Sequence, residues 1–178
     1  MSNILPTPLA LASDDVTDAK LFADRLDMIR GLGCQPGGVI AEIGVAIGAM
    51  TSHLITTLQP KKFVGFDLFQ LHTLESLWGH PSKYWFNELT HRQWYEQFLQ
   101  EYSGVETIVC EGQSEETLQS WPDKFFDLIY VDADHEYEGV QKDATQAARG
   151  AVRKVVGIWC GAISDNTRVS FQAARSIG

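Results

Sequence analysis

A repeated alternation of short apolar runs with longer amphipathic stretches is the feature that most constrains how this sequence can fold. Five runs of five to seven residues are rich in apolar side chains. They are Val39–Ile43, Lys62–Leu68, Glu106–Cys110, Phe125–Val131 and Val155–Cys160. Strands of this composition are typical of parallel sheets, whose two faces are both covered by helices. The alternation therefore predicts a doubly wound α/β fold with a Rossmann-like parallel sheet.

The stretches around these runs carry apolar residues at helical spacing. The predicted helices are Ala19–Leu32, Ala49–Leu58, 89–102 and His135–Ala151. Residues 1–17 contain Pro, Ser and Asp and are expected to be a loose N-terminal arm. Because 178 residues suit one domain with a substantial core, residues 1–178 are expected to form a single domain.

The composition argues against several classes of protein. Asp and Glu number 23 against 14 Lys and Arg, so the formal charge is -9, and such a surface repels the phosphate backbone of nucleic acids. No apolar run approaches the roughly 20 residues that cross a bilayer, and the first residues do not resemble a secretory signal. Cys34, Cys110 and Cys160 are widely spaced, which favours reduced thiols over a disulfide framework or a zinc site. We therefore expect a cytoplasmic protein that binds neither nucleic acid nor membrane.

The turn after the first predicted strand contains glycines that let the backbone pass close to a ligand. Gly44 and Gly48 flank this turn, and the helix that follows offers its N-terminal amides. A plain turn between a strand and a helix has the same pattern. The dinucleotide fingerprint is absent, because Ala46 and Ala49 stand where its second and third glycines would fall. Glu42, just ahead of the turn, suits a ligand that carries positive charge.

Polar residues also follow the other predicted strands. Asp67 ends the second strand about 20 residues after the glycine turn, where an acid either accepts both hydroxyls of a ribose or caps a helix. Gly112, Gln113 and Ser114 follow the third strand, and Asp132 follows the fourth. Because ligands of doubly wound sheets bind beyond the carboxyl ends of the strands, these residues are candidates for one shared site.

Together these motifs resemble those of class I S-adenosylmethionine-dependent methyltransferases, from about Gly38 to Cys160. The segment EIGVAIG, at 42–48, is similar to the first motif of that family. The segment FDLIYVDADHEYEGV, at 126–140, is the most specific match. It is similar to a bacterial branch of small-molecule O-methyltransferases that includes macrocin-type enzymes and is related to the catechol and caffeoyl-CoA types.

The resemblance implies S-adenosylmethionine as the cofactor and a hydroxyl group of a small molecule as the methyl acceptor. It also implies that the first motif holds the methionine part of the cofactor, that an acid binds the ribose diol, and that the segment after the third strand surrounds the adenine. The implied cofactor-binding residues are Glu42, Gly44, Ala46, Gly48, Asp67, Gly112, Gln113 and Ser114.

The candidate catalytic residues are Asp132 and His135. In metal-dependent relatives, the acid that matches Asp132 binds a divalent cation such as Mg²⁺, and further acids follow their fifth strand. In this sequence Cys160 and its neighbours occupy that place, and Asp165 and Asn166 come a few residues later. Three hypotheses stay open: the two aspartates and the asparagine hold a metal, the enzyme is metal-independent, or the chain no longer catalyses. His135 either acts as the general base or orients its loop.

The C-terminal region departs from the family's pattern. The family's sheet continues beyond the fifth strand with an antiparallel hairpin, but only 18 residues follow Cys160. We expect a turn and about two helical turns from Val169 to Ile177, and no hairpin. The fifth strand would then be an edge with unpaired backbone groups. We therefore expect that edge to be covered by a second copy of the chain, in a dimer or other homo-oligomer, or by the N-terminal arm.

An aromatic segment at 71–87 follows the second predicted strand. Trp78, Tyr84, Trp85 and Phe86 form either a lid or acceptor pocket near the strand ends, or a satellite cluster that packs onto the helices. The leading hypothesis for function is a methyltransferase that acts on a small-molecule hydroxyl. A non-catalytic cofactor-binding or scaffold protein of the same fold, and a nicotinamide-binding Rossmann protein, are the alternatives.

Overall fold

The structure is a computed structural model that describes residues 22–133, 136–163 and 167–176. The predictions for residues 1–17 and for the start of the first helix lie outside the described residues. The same is true of His135, Asp165 and Asn166.

The described residues contain eight strands. They are β1 (Val39–Ile43), β2 (Lys62–Asp67), β3 (Ser76–Leu77), β4 (His80–Pro81), β5 (Glu106–Glu111), β6 (Phe126–Val131), β7 (Ala151–Ile163) and β8 (Thr167–Ser176). β3 and β4 form a small hairpin, and the other six form one sheet in the order β5-β2-β1-β6-β7-β8. The first five strands of that order are parallel, and β8 is antiparallel to β7. The predicted α/β fold with a parallel sheet is confirmed.

Six α-helices lie in the described residues. They are α1 (Arg25–Gly31), α2 (Ala49–Leu58), α3 (Ser82–Phe86), α4 (His91–Leu99), α5 (Ser114–Thr117) and α6 (Tyr137–Gly150). Short 3-10 helices occur at Leu71–Thr73, Gln100–Tyr102 and Leu118–Ser120. Within the described ranges, no helix combines the length and the apolar character that crossing a membrane requires.

Side chains that alternate along the parallel strands divide the core between the two faces of the sheet. On one face, Ile40 and Phe63 pack with buried side chains of α1, α2 and α4. On the opposite face, Ala41 and Val64 pack with Ala147 of α6 and with residues near the end of α5. The sheet is therefore covered on both sides, as a doubly wound fold requires.

Capping residues fix the starts of two helices. Asp24 caps α1, since its carboxylate accepts the N–H groups of Leu26 at 2.8 Å and Asp27 at 2.9 Å. Thr90 caps α4 in a reciprocal capping box with Gln93. Apolar periodicity alone carries no information about these hydrogen bonds, so it places the helix starts only approximately.

Residues 167–176 form β8, an antiparallel partner of β7, where the sequence analysis expected helical turns and no hairpin. That expectation is wrong. Thr167, Val169 and Phe171 alternate with polar residues, which is the two-residue period of a strand and not the period of a helix. β7 and β8 therefore form an antiparallel strand pair beside the parallel strands.

The pairing of β8 also changes which strand lies at the edge of the sheet. The outer backbone groups of β7 pair with β8, from Lys154 opposite Ser176 to Ile163 opposite Thr167. The edges of the six-stranded sheet are β5 and β8. Neither a second copy nor the N-terminal arm is needed to cover the fifth parallel strand, so that argument for a homo-oligomer is removed, and the oligomeric state stays a prediction.

Candidate active site

A cavity of about 490 Å³ opens at the carboxyl ends of β1, β2, β5 and β6. Its wall brings together most of the residues that the sequence places after these strands. They are Gly44, Ala46, Asp67, Gly112, Gln113, Ser114 and Asp132. Parallel strands direct their carboxyl ends to the same edge of a sheet, which is why residues so far apart in the chain meet there.

Contacts within the chain explain the two glycines of the turn after β1. Gly44 has φ 85°, and a Cβ atom there would lie 2.4 Å from the carbonyl oxygen of Asp132. Gly48, the N-cap of α2, has φ 70°, and a Cβ atom there would lie 2.6 Å from the ring of Phe98. Of these two glycines, only Gly44 belongs to the cavity wall that the described residues form. The close backbone approach at Gly44 is to the end of β6.

Asp67 fixes this turn from the neighbouring strand. Its Oδ2 atom accepts the N–H groups of Val45 at 2.9 Å and Ala46 at 3.2 Å, and its Oδ1 atom accepts the N–H of Phe69 at 2.8 Å. Each carboxylate oxygen can accept more than one hydrogen bond, so the same group can still accept from ligand hydroxyls. The sequence predicts Asp67 as a ribose acceptor or a cap, and it does not predict this role of Asp67 in shaping the turn.

His91, the first residue of α4, bonds the same turn through the carbonyl group of Ala46. Its Nε2 atom donates to the carbonyl oxygen of Ala46 at 2.6 Å, and its ring lies 5.0 Å from both the Phe69 and Phe86 rings. His91 is fully buried, and its Nδ1 atom has no hydrogen-bond partner among the described residues. Burial lowers the pKa of the His91 imidazole. The ring is therefore neutral near pH 7 and carries its proton on Nε2.

Ala46 thus has both of its backbone polar groups bound. Its N–H bonds to Asp67 and its carbonyl to His91, while its backbone has φ 45°, a left-handed conformation that is uncommon outside glycine. The two hydrogen bonds stabilise a conformation that alanine alone would rarely adopt. We call this arrangement the Ala46 clamp.

Glu42 lies in the interior, outside the cavity wall that the described residues form, although the sequence places it ahead of the turn. Its carboxylate accepts a hydrogen bond from the Thr51 hydroxyl at 2.5 Å, and that hydroxyl lies 2.9 Å from the Tyr95 hydroxyl. Burial raises the pKa of the Glu42 carboxyl well above its ordinary value. The Thr51 hydrogen bond lowers that pKa, and the Asp132 and Asp67 carboxylates raise it further. The predicted contact between Glu42 and the cofactor stays a prediction.

Asp132 lies in the cavity wall and pairs with a cation that the sequence analysis missed. Its Oδ2 atom accepts a hydrogen bond from Nη1 of Arg25, the first residue of α1, at 3.2 Å. The Arg25 side chain is 45% exposed and the Asp132 side chain is 20% exposed, so this pair lies at the surface end of the cavity. Such pairs contribute little to stability. No local pattern in the sequence links two residues that are 107 positions apart.

The described residues contain no group of three or more His, Cys, Asp or Glu side chains that could hold a metal ion. Asp132 is the one predicted metal ligand that lies among them, and its carboxylate contacts a guanidinium. Asp165 and Asn166 lie outside the described residues, so the predicted metal site stays a prediction.

Gly112, Gln113 and Ser114 enter the cavity wall where β5 ends and α5 begins. The Ser114 hydroxyl donates to the carboxylate of Asp143, a buried residue of α6. Lys142, also on α6, forms an ion pair at 3.2 Å with Glu115. These contacts join α5 to α6 beside the cavity.

The cavity wall carries more negative than positive charge. Four carboxylates belong to it, from Asp67, Glu115, Asp132 and Asp143, together with one ammonium group, from Lys142. Acids in a partly enclosed site attract a cation and repel a phosphate. The wall is therefore better suited to a positively charged ligand than to the pyrophosphate of a dinucleotide.

Comparisons with known proteins agree with this geometry. The family model described as "Methyltransferase domain" matches residues 41–161. Solved structures of similar fold include a candidate methyltransferase from Bacillus halodurans (TM-score 0.55, 12% identity, covering 79% of this chain and 53% of that one) and the YcgJ protein from Bacillus subtilis (TM-score 0.54, 19% identity, covering 78% and 50%). A candidate RNA methyltransferase from Pyrococcus horikoshii has a TM-score of 0.53 at 14% identity, covering 75% and 56%. No curated protein matches the chain in sequence.

The order of the parallel strands and the similar solved structures show that this chain has the fold of a methyltransferase domain. The family match covers most of the chain, and the chain therefore belongs to the methyltransferase domain family. The chain spans about half the length of the three structures named above.

Replacing Glu42 by Gln should change how stability depends on pH. Because burial raises the pKa of Glu42 in the folded state, the ionised carboxylate destabilises the fold at pH values above the ordinary pKa of the group. The stability of Glu42→Gln relative to the natural chain should therefore increase as the pH rises above the ordinary pKa of a glutamic acid. Urea unfolding at several pH values measures this difference. Glu101→Gln, at an exposed position, controls for the loss of one charge, and a pH-independent difference for Glu42→Gln contradicts the account.

Replacing His91 by Phe should weaken binding of S-adenosylhomocysteine roughly two- to tenfold, because the ring packing is kept while the donor to Ala46 is lost. His91→Gln restores an amide donor at a similar distance along the side chain and should recover most of the affinity. Calorimetric titration of the three proteins measures the effect. Equal affinity in His91→Phe and the natural chain would show that the Ala46 clamp does not shape the site.

Proposed function

We propose that this protein transfers a methyl group from S-adenosylmethionine to a hydroxyl group of a small molecule. The observation that carries the proposal is the acid-lined cavity at the carboxyl ends of four parallel strands, in which the Ala46 clamp holds the turn after β1. Membership of the methyltransferase domain family supports the methyl transfer. The hydroxyl acceptor rests on the resemblance of the segment at 126–140 to small-molecule O-methyltransferases.

The residues of the cavity fit a sulfonium nucleoside. Its volume, about 490 Å³, lies within the roughly 300–1,000 Å³ typical of small-molecule sites. Asp67, at the end of β2, would accept the ribose hydroxyls with the lone pairs that the turn leaves available. Gly112, Gln113 and Ser114 would surround the adenine together with Leu68, an apolar wall residue that is 40% exposed. The carboxylates of the wall complement the positive charge of the ligand.

The bound cofactor supplies a methyl group already activated by its positive sulfur. The chain's own residues then have to hold the acceptor in line with that methyl group and to assist loss of the acceptor proton. Asp132, in the wall, is suited to orient an acceptor hydroxyl or to accept its proton. Arg25 beside it keeps this carboxylate in place. The proposal keeps His135 as the general base, and it keeps Asp165 and Asn166 as metal ligands together with Asp132. Of these four residues, Asp132 alone lies among the described residues.

A non-catalytic cofactor-binding protein is the second candidate. The contact between Asp132 and a guanidinium, with no group of three or more metal-binding side chains among the described residues, is the observation that keeps this candidate open. Screening hydroxyl acceptors with and without Mg²⁺ separates the two candidates. Turnover in either condition supports the enzyme, and cofactor binding without turnover of any acceptor supports the alternative.

We also propose, from composition, that the protein acts in the cytoplasm and does not bind nucleic acid. A formal charge of -9 disfavours contact with phosphate backbones. Association of the chain with further copies stays part of this proposal.

Leu68→Asp tests the position of the cofactor. A carboxylate at Leu68 removes an apolar contact and places charge beside the adenine, so the affinity for S-adenosylhomocysteine should fall roughly tenfold or more. Leu74→Asp is the matched control, because Leu74 is also an exposed leucine, at 49%, but lies outside the wall that the described residues form. Calorimetric titration with S-adenosylhomocysteine and with NAD⁺ measures both. Binding of NAD⁺ and not of S-adenosylhomocysteine by the natural chain would contradict the proposed function.

A further inference from the structure

Several exposed apolar side chains lie close together in one segment of the chain. Side-chain exposure is described for residues 22–133, 136 and 138–152, and five large hydrophobic side chains are exposed in these ranges: four lie between positions 68 and 84, and the fifth is Val152. The four are Leu68 (40% exposed), Leu74 (49%), Trp78 (60%) and Tyr84 (65%). Single exposed hydrophobic residues are ordinary, but a local concentration of them marks a binding surface. We call residues 68–87 the aromatic unit.

The aromatic unit is an ordered structure held by its own hydrogen bonds. Leu77 pairs with His80 in the β3–β4 hairpin, and Nε1 of Trp85 donates to the carbonyl oxygen of Leu77 at 3.1 Å. Ser82, at the start of α3, donates its hydroxyl to the carbonyl of Leu74 and its N–H to the carbonyl of Glu75. The exposed rings are therefore presented on a folded support.

Trp78 occupies a backbone conformation that a tryptophan does not favour. Trp78 and Gly79 form the two-residue tip of the hairpin, with φ 48° and 83°. Turns with two positive φ angles favour Asn-Gly, whereas a bulky residue at the first position is an outlier. The indole of Trp78 is therefore exposed, and the backbone that carries it is strained. The stability of the turn does not explain why a tryptophan occupies this position.

The rings in this unit form one connected cluster. Trp85 lies at its centre, in edge-to-face contact with Trp78 at 5.3 Å and with Tyr84 at 5.1 Å. His80 stacks on Tyr84 with ring centroids 4.6 Å apart. The exposed rings of Trp78 and Tyr84 therefore both contact Trp85. A flat ligand ring can pack on them by stacking or edge contact.

The aromatic unit adjoins the proposed cofactor cavity. It begins directly after β2, and Leu68 and Leu71 belong to the cavity wall. Its formal charges are one acid, Glu75, and one base, Lys83, so the unit is neutral in a chain of charge -9. A compound that covers this surface meets apolar rings, without excess charge, next to the place where a methyl donor would bind.

We propose that the aromatic unit is the acceptor site and that it binds the ring of an uncharged phenol. This inference rests on the proposed function and names its substrate class. The polar groups of Thr73, Ser82 and Trp85 already bond within the chain, and the exposed rings of Trp78 and Tyr84 offer apolar faces on which the ring of a phenol can pack. The neutral charge of the unit disfavours an anionic acceptor.

Trp78→Asn tests this inference, because it creates the Asn-Gly turn that the hairpin backbone favours while removing the indole. The melting temperature should stay the same or rise. Affinity for catechol, measured by saturation-transfer NMR with S-adenosylhomocysteine present, should fall roughly two- to tenfold. Val152→Asn, which removes the exposed apolar side chain outside the unit, should leave catechol binding unchanged. Cyclohexanediol, which has similar hydroxyls and no aromatic ring, should bind much more weakly than catechol.

Several outcomes would overturn the inference. They are equal catechol binding by Trp78→Asn and the natural chain, equal binding of cyclohexanediol and catechol, or a lowered melting temperature that shows the indole to be structural. Sedimentation velocity adds another, since a dimer that Trp78→Asn dissociates would assign the surface to a second copy of the chain. Failure of the proposed function has a different signature: catechol binds through Trp78 while S-adenosylhomocysteine gives no heat.

Discussion

The hydrogen bonds that hold the turn after β1 are the interaction on which the rest of the site depends. Asp67 binds the N–H groups of Val45 and Ala46 from the second strand, and His91 binds the Ala46 carbonyl from α4. A left-handed alanine in a surface turn would be unstable without such partners. With them, both backbone polar groups of Ala46 have partners within the chain, and a turn that is held in this way reduces the free energy that binding must spend on ordering the site.

The ring of His91, which bonds the Ala46 carbonyl, also links the two parts of the proposed site. Phe69 and Phe86, at the two ends of the aromatic unit, both lie against the His91 ring that binds the turn. The proposed donor pocket and acceptor surface are therefore built on one continuous set of contacts. This arrangement fits a reaction whose main requirement is that two ligands be held in a fixed relative orientation.

The sheet and the residues at its carboxyl edge could be predicted from the sequence, because both follow from local patterns. Apolar runs identify the strands, and the geometry of parallel sheets then brings Gly44, Asp67 and Asp132 to one cavity. The interior position of Glu42 also has a local signal, since Glu42 alternates with Ala41 and Ile43 along β1 and shares the face of Ile40.

The remaining features depend on contacts between distant parts of the chain. His91 lies 45 positions from Ala46, and Arg25 lies 107 from Asp132, so no spacing in the sequence reveals either pair.

The direct measurement of the central claim is a crystal structure of the protein with S-adenosylhomocysteine. The account predicts the nucleoside in the cavity, with its ribose hydroxyls on Asp67 and the Ala46 turn unchanged from the free protein. A nucleoside bound elsewhere, or a turn that rearranges to admit it, would contradict the account.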